Sequence, residues 1–346
     1  MSSGKIDLIE FGVPGDKVMV PRIGFGGMGL SGTYGKSDDD ESLELLAQAA
    51  SMGCTLWDTA DVYGLGHNER LFSKALEAQG RANIFICTKF GHEFDEPTAT
   101  ASGSFTSSIK GINGHPDYIR KAVDLSLKRL GVDRIDLYYQ HRVDPNVPIE
   151  ETVAAMAQLV KEGKVRYLGL SECSADTLRR AYKVHPIAAV QSEYSAWSLS
   201  AETNGVLDAC RELGVTFVAY SPLGRGFLSG QLKSFDDLDE NDSRRNHPRF
   251  QPENFAKNLQ IVREFEKLAA KKGYSASQLA LAWVLAQEKN LIVIPGTRRI
   301  ENLKSNIDAG SIQLDSDDLQ SIRDIIQSIG ISGERYPENL LARVGL

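Results

Sequence analysis

The sequence predicts an α/β protein folded as a single (β/α)8 TIM barrel, on three observations. Eight apolar runs have strand length, stretches of helical periodicity separate them, and no break in composition divides the 346 residues. Length alone would suggest two domains, but barrels of this kind routinely reach this size as one. No linker, repeat or low-complexity tract is present, so residues 1–346 read as one domain.

The elements follow in order. Residues 6–21 suit a short N-terminal β-hairpin. Strands are expected at 22–26, 55–59, 84–89, 135–140, 165–171, 187–192, 215–221 and 291–295. They are apolar almost throughout, the pattern of a parallel sheet covered on both faces. Helices are expected at 39–52, 68–78, 116–130, 149–162, 175–184, 202–213 and 299–309, with a longer insert, 222–290, before the last strand. Gly131, Gly163 and Gly214 stand where C-terminal caps belong, and Asp176 can help to cap a helix start. Two extended irregular loops, 91–116 and 232–255, follow the third and seventh strands, at the C-terminal face where barrel enzymes carry their active sites.

Composition narrows the function. The chain is 42% hydrophobic and 25% charged, with a formal net charge of -7 and a pI near 5.5. That balance argues against an electrostatic grip on nucleic acid or on an anionic membrane, and for a small-molecule partner. Cys54, Cys87, Cys173 and Cys210 form no C-x-x-C pair, so they read as free buried thiols of a reducing compartment. The opening residues lack a basic region followed by an apolar run, and no apolar stretch is long enough to span a bilayer. A cytoplasmic monomer is expected, because no long heptad pattern appears either. The six histidines are scattered without ligand spacing, and no metal is expected.

Two patterns could carry chemistry. Gly24-Phe25-Gly26-Gly27-Met28-Gly29 satisfies G-x-G-x-x-G after a strand, but turn sequence follows where a dinucleotide site requires a helix. A flexible turn at the barrel rim is the better reading. More informative are Asp58, Tyr63, Lys89 and His141, each at or just beyond the end of a predicted strand. Singly, Asp58 could cap a turn, Tyr63 pack a loop, Lys89 neutralise a carboxylate and His141 sit in the core. Together they occupy equivalent places around one mouth, where barrel enzymes assemble catalytic groups.

The segments WDTADVYGLGHNE (57–69), CTKFG (87–91), IDLYYQHRVD (135–144), YLGLSE (167–172), AYSPLGRGFLSG (219–230) and IPGTRR (294–299) together resemble the aldo-keto reductase superfamily. PRFQPENFAKNL (248–259) and ERYPENLLARVG (334–345) resemble its pyridoxal reductase and perakine reductase-like subgroup. The resemblance implies NADPH-dependent reduction of an aldehyde or ketone, with a tetrad of Asp58, Tyr63, Lys89 and His141. Tyr63 would protonate the carbonyl oxygen, Lys89 would lower the Tyr63 pKa, and Asp58 would hold Lys89 charged. Tyr220 would stack on the nicotinamide, with Ser171, Glu172 and Gln191 at its carboxamide. Glu172 departs from the asparagine common in the family, and an ionised carboxylate donates no hydrogen bond. Gly26 would also line the cofactor site, and Ser221, Pro222, Leu223 and Arg225 would cradle pyrophosphate. Gly296, Thr297 and Arg298 would take the adenosine 2′-phosphate, with Asn302 and Asn306 facing adenine. Trp57 and Phe90 would wall an apolar substrate pocket, with pyridoxal one possible substrate. Some relatives act instead as cofactor-sensing regulatory subunits of ion channels, and that reading stays open at this point.

Overall fold

The computed structural model describes residues 6–94 and 109–346. β1 (Leu8–Val13) and β2 (Asp16–Pro21) form an antiparallel hairpin. β3 (Phe25–Gly26), β4 (Leu56–Asp58) and β5 (Phe85–Phe90) begin a parallel sheet. A small antiparallel ribbon, β6 (His92–Phe94) with β7 (Ile109–Ile112), interrupts it; the remainder of the 91–116 loop between these strands lies outside the described residues. The sheet resumes with β8 (Ile135–Gln140), β9 (Val165–Ser171), β10 (Ala189–Glu193), β11 (Thr216–Tyr220) and β12 (Leu291–Val293), each beside its predecessor. A parallel bridge between Ile23 and Val293 closes the ring. Its bonds run from Gly24 N to Val293 O and from Val293 N to Arg22 O, both 2.9 Å.

Strand alternation divides the core in two. Side chains such as Leu56, Cys87, Leu137, Tyr139, Val218 and Ile292 fill the inside of the ring. Their neighbours Trp57, Ile86, Tyr138, Leu168, Phe217 and Val293 face outward into a layer of helices. The hairpin belongs to the inner cluster through Phe11 and Val20, and it stops the end where the strands begin. Phe11 meets Tyr167 edge-to-face at 5.5 Å, while Asp16 pairs with the neighbouring Arg166.

The helices packed outside are α1 (Asp39–Ser51), α2 (His67–Gln79), α3 (Pro116–Leu130), α4 (Ile149–Lys161) and α5 (Ala175–Val184). The expected helix at 202–213 is instead two, α6 (Ser200–Thr203) and α7 (Val206–Leu213), because Gly205 takes a left-handed φ of 80° and starts the second. Ser174, rather than Asp176, caps α5: its hydroxyl accepts from Thr177 N at 3.1 Å. Gly131 and Gly214 close their helices in the left-handed conformation. The insert 222–290 contains α8 (Pro252–Lys272) and α9 (Ala276–Gln287). The chain ends with α10 (Ile300–Asp308), α11 (Ser316–Ile329) and a terminal turn, α12 (Glu338–Leu341). The four cysteines are free and buried. No helix among the described residues is long and apolar enough to cross a membrane.

The glycine-rich segment leads not into a helix but into one 3-10 turn, Met28–Leu30. Its glycines serve close packing. A Cβ on Gly26 would lie 2.6 Å from Ile294 O, and one on Gly296 the same distance from Gly26 O. The first and last strands therefore meet backbone to backbone. Gly26→Ala should lower unfolding stability by about 1–3 kcal/mol, whereas Gly111→Ala, with open space around it, should change it by less than about 0.5 kcal/mol. Urea denaturation of the two variants checks the contrast.

Candidate active site

Four polar side chains gather at the C-terminal mouth of the barrel. Asp58 ends β4 and Lys89 lies near the end of β5, on the alternation that points into the ring. Lys89 is completely buried; its Nζ forms an ion pair with Asp58 Oδ1 and donates to Thr59 O at 2.8 Å. It also lies 3.4 Å from the Tyr63 hydroxyl. Tyr63 comes from the β4–α2 turn, whose reversals use left-handed Gly64, Leu65 and Gly66. His141 follows β8, its backbone N bonded to Phe90 O at 2.7 Å. The His141 ring stands edge-to-face to Tyr63, 5.8 Å between centroids, and to His92 at 4.8 Å.

Burial sets the protonation states here. It works against the Lys89 ammonium, but the Asp58 carboxylate and the Tyr63 oxygen outweigh it and hold the lysine above its ordinary value. Burial also lifts the Tyr63 phenol above its ordinary value, by more than Lys89 lowers it. The sequence-based expectation of a depressed tyrosine pKa is thus corrected. The lysine's pull is present, but desolvation of phenolate is the larger effect. His141 lies well below its ordinary value through burial, helped by the charges of His92, Arg142 and Lys89. Its imidazole is neutral at pH 7.

A cleft of about 470 Å³ opens over these groups. Asp58, Tyr63 and His141 line it, as do Gly26, Ser171 and Gln191 at strand ends. Beyond β11 it is bordered by Tyr220, Ser221, Pro222, Leu223 and Arg225, and beyond β12 by Gly296, Thr297 and Arg298. Asn302 and Asn306 reach it from α10. Gln191 donates its amide N–H to Asp58 Oδ2 at 2.8 Å. Ser171 Oγ is buried without a partner, a polar atom that a ligand could satisfy. Arg225 pairs with Glu193 at 3.2 Å and lies over the Tyr336 ring, and Arg298 donates to Lys36 O.

Three expected residues are elsewhere. Trp57 and Phe90 do not wall the cleft, because they alternate with the inward-facing Asp58 and Lys89 and so point into the helix layer. There Trp57 packs on Phe72 and Phe90 on Tyr138. Glu172 does not face the cleft either. Its carboxylate accepts from Arg335 at 2.6 and 3.2 Å, from the Tyr220 hydroxyl at 2.8 Å and from Glu193 N at 3.0 Å. Its carbonyl takes Gly345 N at 2.8 Å, so the departure from asparagine fastens the C-terminal segment to the end of β9. That segment brings Tyr336, Leu340 and Arg343 into the cleft wall. Sequence reasoning did not place them, nor Tyr34, His92, Arg142, Arg244 and His247. Arg142 adjoins His141 in the same motif, and Tyr336, Leu340 and Arg343 lie within the 334–345 segment already singled out, so these carried a signal that could have been used.

A parallel barrel with an acid–base cluster at its strand ends and a basic cleft beside it is the framework of a barrel oxidoreductase. The chain matches the model of the Aldo/keto reductase family over residues 22–327 and belongs to that family. It is 47% identical to the aldo-keto reductase yakc of Schizosaccharomyces pombe, named with NADP(+), across 92% of each chain. It is 48% identical to the aldo-keto reductase str7 of Strobilurus tenacellus, again across 92% of each. Among solved structures it is similar to the glycerol dehydrogenase of Gluconobacter oxydans. There the TM-score is 0.81 and the identity 30%, covering 95% of this chain and 96% of that one.

The Glu172 anchor has an acid-dependent signature. Burial opposes its ionisation, but Arg335, Arg142 and the hydrogen bonds prevail and lower its pKa from 4.5. A depressed carboxylate stabilises the fold fully above the unfolded value and ceases to do so as pH falls through the folded value. Glu172→Gln should therefore cost about 3–5 kcal/mol at pH 7, as when one partner of a buried pair is removed. The difference from the parent should shrink as the pH falls below 4.5. Unfolding curves at the two pH values check both parts.

Proposed function

We propose that the protein is an NADPH-dependent reductase of aldehydes and ketones in which Tyr63 protonates the carbonyl oxygen. The observation that carries this reading is a phenol 3.4 Å from a fully buried lysine, itself paired with a buried carboxylate. When bound, the nicotinamide supplies hydride to the carbonyl carbon. Charge then builds on oxygen, and an acid beside it lowers the barrier. With its pKa raised by burial, Tyr63 keeps its proton at neutral pH until that charge develops. As the proton leaves, the Lys89 ammonium stabilises the phenolate, and Asp58 keeps Lys89 charged and oriented. Neutral His141 can donate its ring N–H to the same oxygen.

The cleft suits a phosphorylated cofactor. Among the described residues it is lined by six arginines and by one carboxylate, that of Asp58. Ser171 and Gln191 would meet the carboxamide, and Tyr220 would stack on the ring with its hydroxyl fixed by Glu172. The turn from Ser221 to Arg225 would cradle pyrophosphate. Gly296, Thr297 and Arg298 would take the 2′-phosphate, with Asn302 and Asn306 at adenine, and the planar Arg298 fork favours NADPH over NADH. The NADP(+) in the name of the Schizosaccharomyces pombe relative supports this choice. Pyridoxal is one substrate to try within a panel of aldehydes.

Two variants test the reading. Tyr63→Phe should lower kcat by a factor of about 10²–10⁴ while NADPH affinity, read by fluorescence titration, stays nearly intact; retained turnover would remove Tyr63 as the acid. Arg298→Ala should raise KM for NADPH about tenfold or more and barely move that for NADH, so equal effects would remove the 2′-phosphate assignment. NADPH binding with no oxidation by any aldehyde of a broad panel would favour the cofactor-sensing regulatory reading instead.

A further inference from the structure

The reaction end of the cleft holds positive charge that proton transfer does not use. In a chain of net charge -7, six arginines line this cleft. Four stand on or beyond the loops after β11 and β12. Of these, Arg225 is paired with Glu193, Arg244 with Asp242, Arg298 is bonded to a main-chain carbonyl, and Arg299 is exposed to water. The other two differ in place and in partners. Arg142 directly follows His141 and donates one N–H to the His141 carbonyl at 2.7 Å. Arg343 enters from the C-terminal segment fastened by Glu172. Neither forms an ion pair with a carboxylate among the described residues.

Both guanidinium groups line this one cleft. The charges of both reach His92, and that of Arg142 also reaches Tyr63 and His141. His92 and His141 touch, and each has a buried Nδ1 without a hydrogen-bond partner among the described residues. The acidic side chain whose field acts on Arg142, Glu172, is engaged by Arg335. The one carboxylate that lines the cleft among the described residues, Asp58, is taken by Lys89. A half-buried guanidinium group with no carboxylate paired to it among the described residues is poorly compensated, and an anionic group on a ligand beside Tyr63 would supply the missing charge.

We propose that the physiological substrate carries an oxyanion, a carboxylate or a phosphate on the aldehyde's own carbon chain, received by Arg142 and Arg343 while its carbonyl oxygen lies at Tyr63 and His141. This rests on the reductase reading above and names its substrate class. In the reaction the aldehyde carbon gains hydride and its oxygen gains the Tyr63 proton, giving a primary alcohol and NADP+, with the oxyanion unchanged. A planar guanidinium grips either oxyanion through paired N–H donors. The purely apolar pocket expected from Trp57 and Phe90 is replaced by one with a cationic wall.

The test is kcat/KM for matched pairs: 4-oxobutanoate against butanal, and glycolaldehyde phosphate against glycolaldehyde. A preference of about tenfold or more for an anionic member is expected, and the pair that shows it distinguishes carboxylate from phosphate. Arg343→Gln should reduce that preference by about tenfold, chiefly through KM, and Arg343→Lys should restore part of it. Neutral aldehydes used as well as their anionic counterparts, or an equal loss on both in Arg343→Gln, would overturn the proposal and leave the reductase reading standing. Failure of every aldehyde to oxidise NADPH would remove that reading, and this one with it. The comparison on the unaltered enzyme needs no variant to fold.

Discussion

The buried pair of Lys89 and Asp58 is the interaction on which the rest of the site depends. A lysine with no exposed surface is tolerable only if a carboxylate and further acceptors replace the water it has lost. Asp58, Thr59 O and the Tyr63 oxygen do so, and they fix the positions of those groups in turn. Gln191 completes the Asp58 shell from β10, across the ring from β5. The pair thus ties together strands far apart in sequence and holds a cation 3.4 Å from the Tyr63 hydroxyl.

Much of this was legible in the chain because strand and helix periods differ and glycines mark helix ends. Eight apolar runs gave eight strands in spatial order, and Asp58, Tyr63, Lys89 and His141 lie together as their positions at strand ends implied. The errors have physical causes. Trp57 and Phe90 were judged by proximity in sequence, but alternation sends neighbours of inward residues outward. The Tyr63 shift was judged from the lysine alone, without the cost of taking phenolate out of water. Glu172 was judged against the family pattern, while its partner Arg335 lies 163 positions away and no local periodicity announces such a pair. The 334–345 segment stood out as a motif, but its place in the cleft wall depends on that same distant pair.

The two ends of the cleft solve opposite problems. Beyond β11 and β12, Arg225 and Arg244 are neutralised by Glu193 and Asp242 and Arg298 is bonded to the main chain, while Arg299 is exposed to water. Around Tyr63, Lys89 is paired with Asp58, whereas Arg142 and Arg343 form no ion pair with a carboxylate among the described residues. Coulomb forces in a half-buried cleft act over several ångströms, which lets Arg142 influence the tyrosine, the imidazole and Glu172 together.

The meeting of Gly26 with Gly296 makes the barrel a hoop with a narrow clasp. β3 has two residues and β12 three, and a single bridge joins the first segment to the last. Gly26, Ile294 and Gly296 also line the cleft. A ligand seated there recognises the fastened hoop and not the sprung one, so its binding energy adds directly to the persistence of the fold. The abundance of such a protein would then follow the supply of whatever occupies that clasp.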